Sequence, residues 1–90
     1  MMFVIKKGVN LKELEKFGFK LEGGELHYYF VYEKYVKKLF NWFIISVYRD
    51  KSINISKIYK GYDLRDIPEK HYKYFLKDLI KADLVEKIEV

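Results

Sequence analysis

Apolar positions along the chain change period twice, and the changes divide it into elements. Leu11, Leu14 and Phe17 recur at helical spacing, the stripe of an amphipathic turn. Asn10 stands where an N-cap belongs, with Glu13 three residues on, and Gly18 is placed to stop the helix. The pattern predicts a short helix over 11–17, with Phe19 folding back onto its last turn. Val4-Ile5 ahead of it reads as a short strand. After Gly18 the period becomes two: Phe19 and Leu21 lead into Glu22-Gly23-Gly24-Glu25, a hairpin signal. Residues 26–35 alternate Leu26, Tyr28, Phe30, Tyr32 against His27, Tyr29, Val31, Glu33. Both rows are aromatic-rich, which predicts a central strand covered on each face. Lys34 to Lys38 reads as a charged connection. Residues 41–49 form the next strand, with Phe43, Ile45 and Val47 opposed to Trp42, Ile44, Ser46 and Tyr48. Asp50-Lys51 is its turn, and 52–60 is a fourth strand with Ile53, Ile55 and Tyr59 inward.

Gly61 to Arg65 then reads as a loop. Asp66-Ile67-Pro68-Glu69 has the chemistry of a helix start: an Asp cap, Pro in the first turn, Glu following. Tyr72, Phe75, Leu76, Leu79 and Ile80 keep the i, i+3, i+4, i+7, i+8 spacing of one helix face, and Lys70, Lys73, Lys77 and Lys81 hold the other. Residues 84–90 fit either a last helical turn or an edge strand. The expected fold class is α+β: one domain over 1–90, in the order α-β-β-β-β-α, with an antiparallel sheet and helices packed on one face.

Composition narrows the chemistry. Ninety residues permit one modest core. Without Cys there is no disulfide, thiolate metal site or thiol nucleophile. His27 and His71 lie far apart, Thr is absent, and Ser occurs only at 46, 52 and 56. No catalytic constellation emerges, so neither an enzyme nor a cofactor nor a metal is expected. The longest apolar run, Trp42 to Ile45, is far below the roughly 20 residues of a membrane span, and the opening lysines follow the apolar residues, the reverse of a secretory signal. A cytoplasmic protein with no membrane partner is therefore expected. Eighteen basic against 13 acidic residues give +5, spread over both halves. Sixteen of the 18 are Lys, which disfavours bidentate base reading. The Lys, Glu, Ile and Tyr usage fits a thermophile or an A/T-rich genome equally.

Two sets of residues are candidate binding groups. Lys70, Lys73, Lys77 and Lys81, with Lys57 and Lys60, could neutralise phosphates; equally, they could be a solvated helix face. Tyr28, Tyr29, Tyr32, Tyr35, Trp42 and Tyr48 could form an exposed platform. Such a platform would stack bases or anchor a protein interface, while the same residues could simply pack a core. The neighbouring carboxylates Asp63 with Asp66, and Glu22 with Glu25, fit capping and turns better than acid–base work.

Residues 5–20, containing "LKELEKFGF", and residues 76–90, containing "DLIKADLVEK", resemble small uncharacterised proteins of Firmicutes phages and prophages. The shared residues are caps, helix cores and a glycine stop, so no functional residue carries over. The resemblance implies a mobile-element context in which small non-catalytic proteins bind and block host proteins, defence components among them. The +5 charge departs from acidic blockers that mimic nucleic acid. The sequence thus points to a binding protein that contacts a host protein or a protein–nucleic-acid complex. A non-sequence-specific nucleic-acid module and a homodimer that hides one aromatic sheet face are the alternatives.

Overall fold

In chain order the elements are β1 (Met2–Ile5), a 3₁₀ helix (Leu11–Phe17), β2 (Lys20–Glu22), β3 (Val31–Lys38), β4 (Asn41–Tyr48), β5 (Ile53–Ile58) and β6 (Leu64–Asp66). A second 3₁₀ turn (Glu69–His71), α1 (Tyr72–Phe75), α2 (Lys77–Lys81) and β7 (Val85–Ile88) complete the chain. The computed structural model describes residues 2–23, 31–60 and 63–89. The expected strand start at 26–30, with the turn residues Gly24 and Glu25, lies outside them.

Mixed helix and strand, with antiparallel sheets, is the architecture, but the strands dominate and the helices are short. β2-β3-β4-β5-β6 form one antiparallel sheet in sequence order, and β1 pairs β7 in a second. The order α-β-β-β-β-α is thus corrected: strands open and close the described chain and bind each other, Ile5 opposite Val85 and Met2 opposite Ile88. The smaller sheet is joined to the larger by a bridge between Val4 and Ser52 and by the Ile5 amide donating to the Lys51 carbonyl at 2.9 Å.

Register decides which row of each strand is buried. Tyr32 faces Val47 and Lys34 faces Ile45 across β3 and β4, while Val47 and Ile45 face Ile53 and Ile55 on β5. Tyr32, Ile45, Val47, Ile53 and Ile55 share one buried cluster with Leu11 and Leu14, Phe3 and Ile5, and Tyr72, Leu76 and Leu79. The opposite row holds Glu33, Tyr35, Lys37, Trp42, Ile44, Ser46, Tyr48, Asn54, Ser56 and Ile58. None of it joins that cluster.

Four local expectations change. Lys34 to Lys38 is not a connection but the second half of β3. Its lysines lie along apolar surface, Lys34 over the Phe19 ring and Lys38 over Phe75, and their stems do the covering that charge counting overlooks. Leu64 and Arg65 of the expected loop belong to β6. Tyr59 is exposed, held between Lys57 and Arg65 (4.8 and 4.7 Å from its ring centre), and does not point inward. Asp66 is not a helix cap: it closes β6 and accepts from the Ser56 hydroxyl at 2.9 Å and the Asn54 amide at 3.2 Å, leaving Pro68 at the helix start without a side-chain cap.

The first helix matches its punctuation but winds as 3₁₀. The Asn10 side chain accepts from the Lys12 amide at 3.0 Å, and Gly18 terminates the helix at φ 89, a left-handed conformation that glycine adopts without a Cβ clash. The second helix is interrupted at Leu76 (φ −103, ψ 12). Bonds from the Leu76 amide to the Tyr72 carbonyl and from the Ile80 amide to the Leu76 carbonyl nevertheless keep both halves in line. Residues 85–88 form the strand, not the helical turn.

Candidate functional site

The aromatic platform divides on folding. Tyr32 is buried at 6 % exposure, so it belongs to the core and not to a binding face; its row is selected because Val47 lies directly opposite. Tyr28 and Tyr29 fall outside the described residues. Tyr35, Trp42 and Tyr48 remain on the outer face, at 58, 49 and 43 % exposure.

Tyr35 lies opposite Ile44, and Trp42 lies between Lys37 and Ile58. With Tyr59 and Leu64 they surround a hollow of 590 Å³, whose floor is the buried Ile44. Glu33 and Lys60 reach its margin. Sequence reasoning missed Ile44, Ile58, Tyr59 and Leu64 here. Their alternation with inward residues was visible, but β6 was not, and without β6 the hollow has no second wall.

Polar groups next to the hollow form a bonded set. The Asn54 amide donates to the Ser56 hydroxyl at 3.0 Å and to Asp66, to which Ser56 also donates. This set gives the buried Ser56 a partner and pins β6 to β5. Glu33 lies opposite Ser46 on β4 and Lys20 on β2. Burial first, and then the like charge of Glu22, push its carboxyl above the usual glutamate range. A carboxyl raised in the folded state is neutral in both states at low pH and costs stability once it ionises, so this penalty arises as pH rises through the folded value. Glu33→Gln is therefore expected to resist urea better than the parent near neutral pH, with the gap closing below about pH 4. Asp50 works in the opposite direction, because bonds from the Ser52 hydroxyl and amide lower it. It is unchanged in both proteins and cancels in the comparison.

The lysines also divide. Lys70, Lys73, Lys77 and Lys81 line one groove of 730 Å³ between the helices and β7, floored by Phe3 and Val85. Lys87, which sequence reasoning missed, completes the cluster: it lies over the Phe3 ring at 5.2 Å. Lost hydration, and next its neighbour Lys73, hold its ammonium below the usual lysine range. Lys57 and Lys60 are not part of this groove. Lys57 lies over Tyr59 on β5, and Lys60 borders the hollow on the far face of the sheet. Ile80, expected in the core, is exposed beside the groove lysines.

Asp63 accepts from Arg65 at 3.4 Å, and Asp66 is committed to Ser56 and Asn54. Among the described residues no three His, Asp or Glu side chains converge to hold a metal ion. No helix of the described residues is long and apolar enough to cross a membrane. Comparison with protein-family models, curated proteins and solved structures returns no match.

Proposed function

We propose that the chain is a small, non-enzymatic binding protein that contacts a host protein through the uncovered face of its five-stranded sheet. The carrying observation is the hollow floored by Ile44, with Tyr35 and Trp42 standing half-exposed at its rim. Large, stiff aromatic side chains around a preformed apolar depression are the usual anchors of protein interfaces, because they bury much area at little entropic cost. The two segments that resemble Firmicutes phage and prophage proteins support an accessory role for a phage or mobile element in the host cytoplasm, with a defence protein as the target to test first.

Tyr35→Ala and Trp42→Ala, placed separately in the intact chain, are each expected to weaken the complex captured from host lysate by at least tenfold. Titration of the purified partner measures it. The second reading, a nucleic-acid contact, is favoured by one observation: five lysines share a groove against Glu86 alone on its lining. Lys73→Gln/Lys77→Gln separates the two. If that variant loses binding, both aromatic variants keep it, and binding falls steeply between about 50 and 200 mM salt, the groove is the site. A homodimer through the sheet face would instead sediment as a dimer that Tyr35→Ala dissociates.

A further inference from the structure

The loop joining β3 to β4 runs against ordinary turn chemistry. Lys38 pairs with Asn41, so Leu39 and Phe40 are a two-residue hairpin loop. Leu39 holds φ 57, where Gly or Asn is normally found and a branched apolar side chain is strained. Leu39 is 88 % and Phe40 95 % exposed. Two large apolar side chains thus project from a tip that Gly-Asn would form more easily.

Behind the tip the residues fall in tiers set by strand register. Lys38 lies on the first rung. Lys37, Trp42, Ile58 and Leu64 share the next, and Lys57 and Arg65 the one after, with Phe43 between Lys57 and Val36. Lys37 stands over the Trp42 ring at 5.9 Å. Among the described residues of these rungs and the β5–β6 turn beside them, the one carboxylate is Asp63, which is bonded to Arg65. At about 3.4 Å per residue the apolar tip stands some 7 Å beyond the Trp42 rung. That matches the about 5–10 Å to which interfacial segments bury apolar groups at the headgroup boundary.

We propose that this end of the molecule is a contact for an anionic lipid bilayer. Leu39 and Phe40 enter the acyl boundary, Trp42 and Tyr59 sit at headgroup depth, and Lys37, Lys57 and Arg65 face lipid phosphates, while Lys38 is held by the Tyr74 carbonyl. Trp and Tyr favour that depth because their rings are amphipathic, and each cation near the surface adds attraction to anionic lipid. A protein partner fits the tip less well: two side chains on a convex point cover far less than the roughly 1,000 Å² that a specific protein interface needs. Surface contact of this kind requires no membrane-spanning helix. The two contacts share Trp42 and Tyr59 at the rim of the hollow, but only the bilayer contact needs Leu39 and Phe40, so substitution of the tip separates them.

The test uses vesicles of phosphatidylcholine, alone or mixed with phosphatidylglycerol. Partition is read by co-sedimentation and by the emission of Trp42, the chain's single tryptophan. The wild-type chain is expected to bind the mixed vesicles and to shift its emission to shorter wavelength. Leu39→Gly/Phe40→Asn keeps the net charge and puts glycine at the one positive-φ position of the turn, so it is expected to melt at or above the parent temperature while its partition falls at least tenfold. Equal partition of the two proteins would mean charge alone holds the surface, and would overturn the insertion. Failure of the wild type to bind mixed vesicles would overturn it too, as would a tip variant that lost a captured protein partner while vesicle binding was unaffected.

Discussion

Leu76→Ala is expected to destabilise the fold by about 2–5 kcal/mol, the range for truncating a fully buried leucine. Leu76 is completely enclosed and joins the one cluster shared by the helices, the 3₁₀ turn and both sheets. Its position makes relaxation hard. The backbone at Leu76 is the junction of α1 and α2, fixed on both sides by bonds of 3.0 Å to the Tyr72 carbonyl and 2.8 Å from the Ile80 amide. A cavity there can close only if one of those bonds moves. For a domain of this size each kcal/mol shifts the midpoint by about 4–8 °C, so thermal unfolding followed by circular dichroism should show a drop of at least about 8 °C. Ile80→Ala, on the exposed side of the same helix, serves as the reference and should cost far less. Similar losses for the two would show that the junction does not transmit packing as described.

Tyr72→Phe is expected to cost about 1–3 kcal/mol, although it removes one oxygen atom and no packing volume. The ladder between β5 and β6 ends at Ser56 opposite Asp66. Ile55 lies one residue past that end, completely buried, and its amide donates to the Tyr72 hydroxyl at 3.1 Å. The hydroxyl thus acts as the missing strand partner, and the phenylalanine variant leaves a buried N–H with none. Burial is the main reason the Tyr72 phenol is raised above its ordinary range. A group raised in the folded state contributes stability that is present below its unfolded value, about pH 10, and is lost as pH rises through the folded one. The parent protein should therefore lose stability into alkali more steeply than Tyr72→Phe, in urea midpoints compared near neutral pH and above about pH 10. Faster amide exchange at Ile55 in the variant provides a residue-level check. Equal exchange in both proteins would sink the assignment.

Elements signalled by neighbouring residues were legible. Asn10 and Gly18 bound the first helix as their side chain and backbone freedom require. The alternation over 41–49 and 52–60 corresponds to β4 and β5, with Ile45, Val47, Ile53 and Ile55 buried. Errors came where a residue has two uses. Asp66 has the chemistry of a cap, but in the fold its carboxylate is bonded to Ser56 and Asn54, and the helix start carries no side-chain cap. Lys34 and Lys38 carry charge and yet lie along aromatic surface.

The candidate surfaces were legible only as residue types. The helical lysine stripe, Lys70, Lys73, Lys77 and Lys81, survived whole as one side of a groove, whereas Lys87 entered through β7 and could not be placed before β7 was. By itself the sequence determined the alternation of β4 and β5, the bounds of the first helix at Asn10 and Gly18 and the turn at Asp50-Lys51, because those depend on contacts within a few residues. Tertiary structure alone decided which row of β3 is buried, since two aromatic rows are equivalent until Tyr32 meets Val47. It also decided that β1 closes against β7 from the far end of the chain, and that Tyr35 and Trp42 look outward over Ile44. Such pairings depend on register between distant segments, and a shift of one residue would exchange every inward side chain for its outward neighbour.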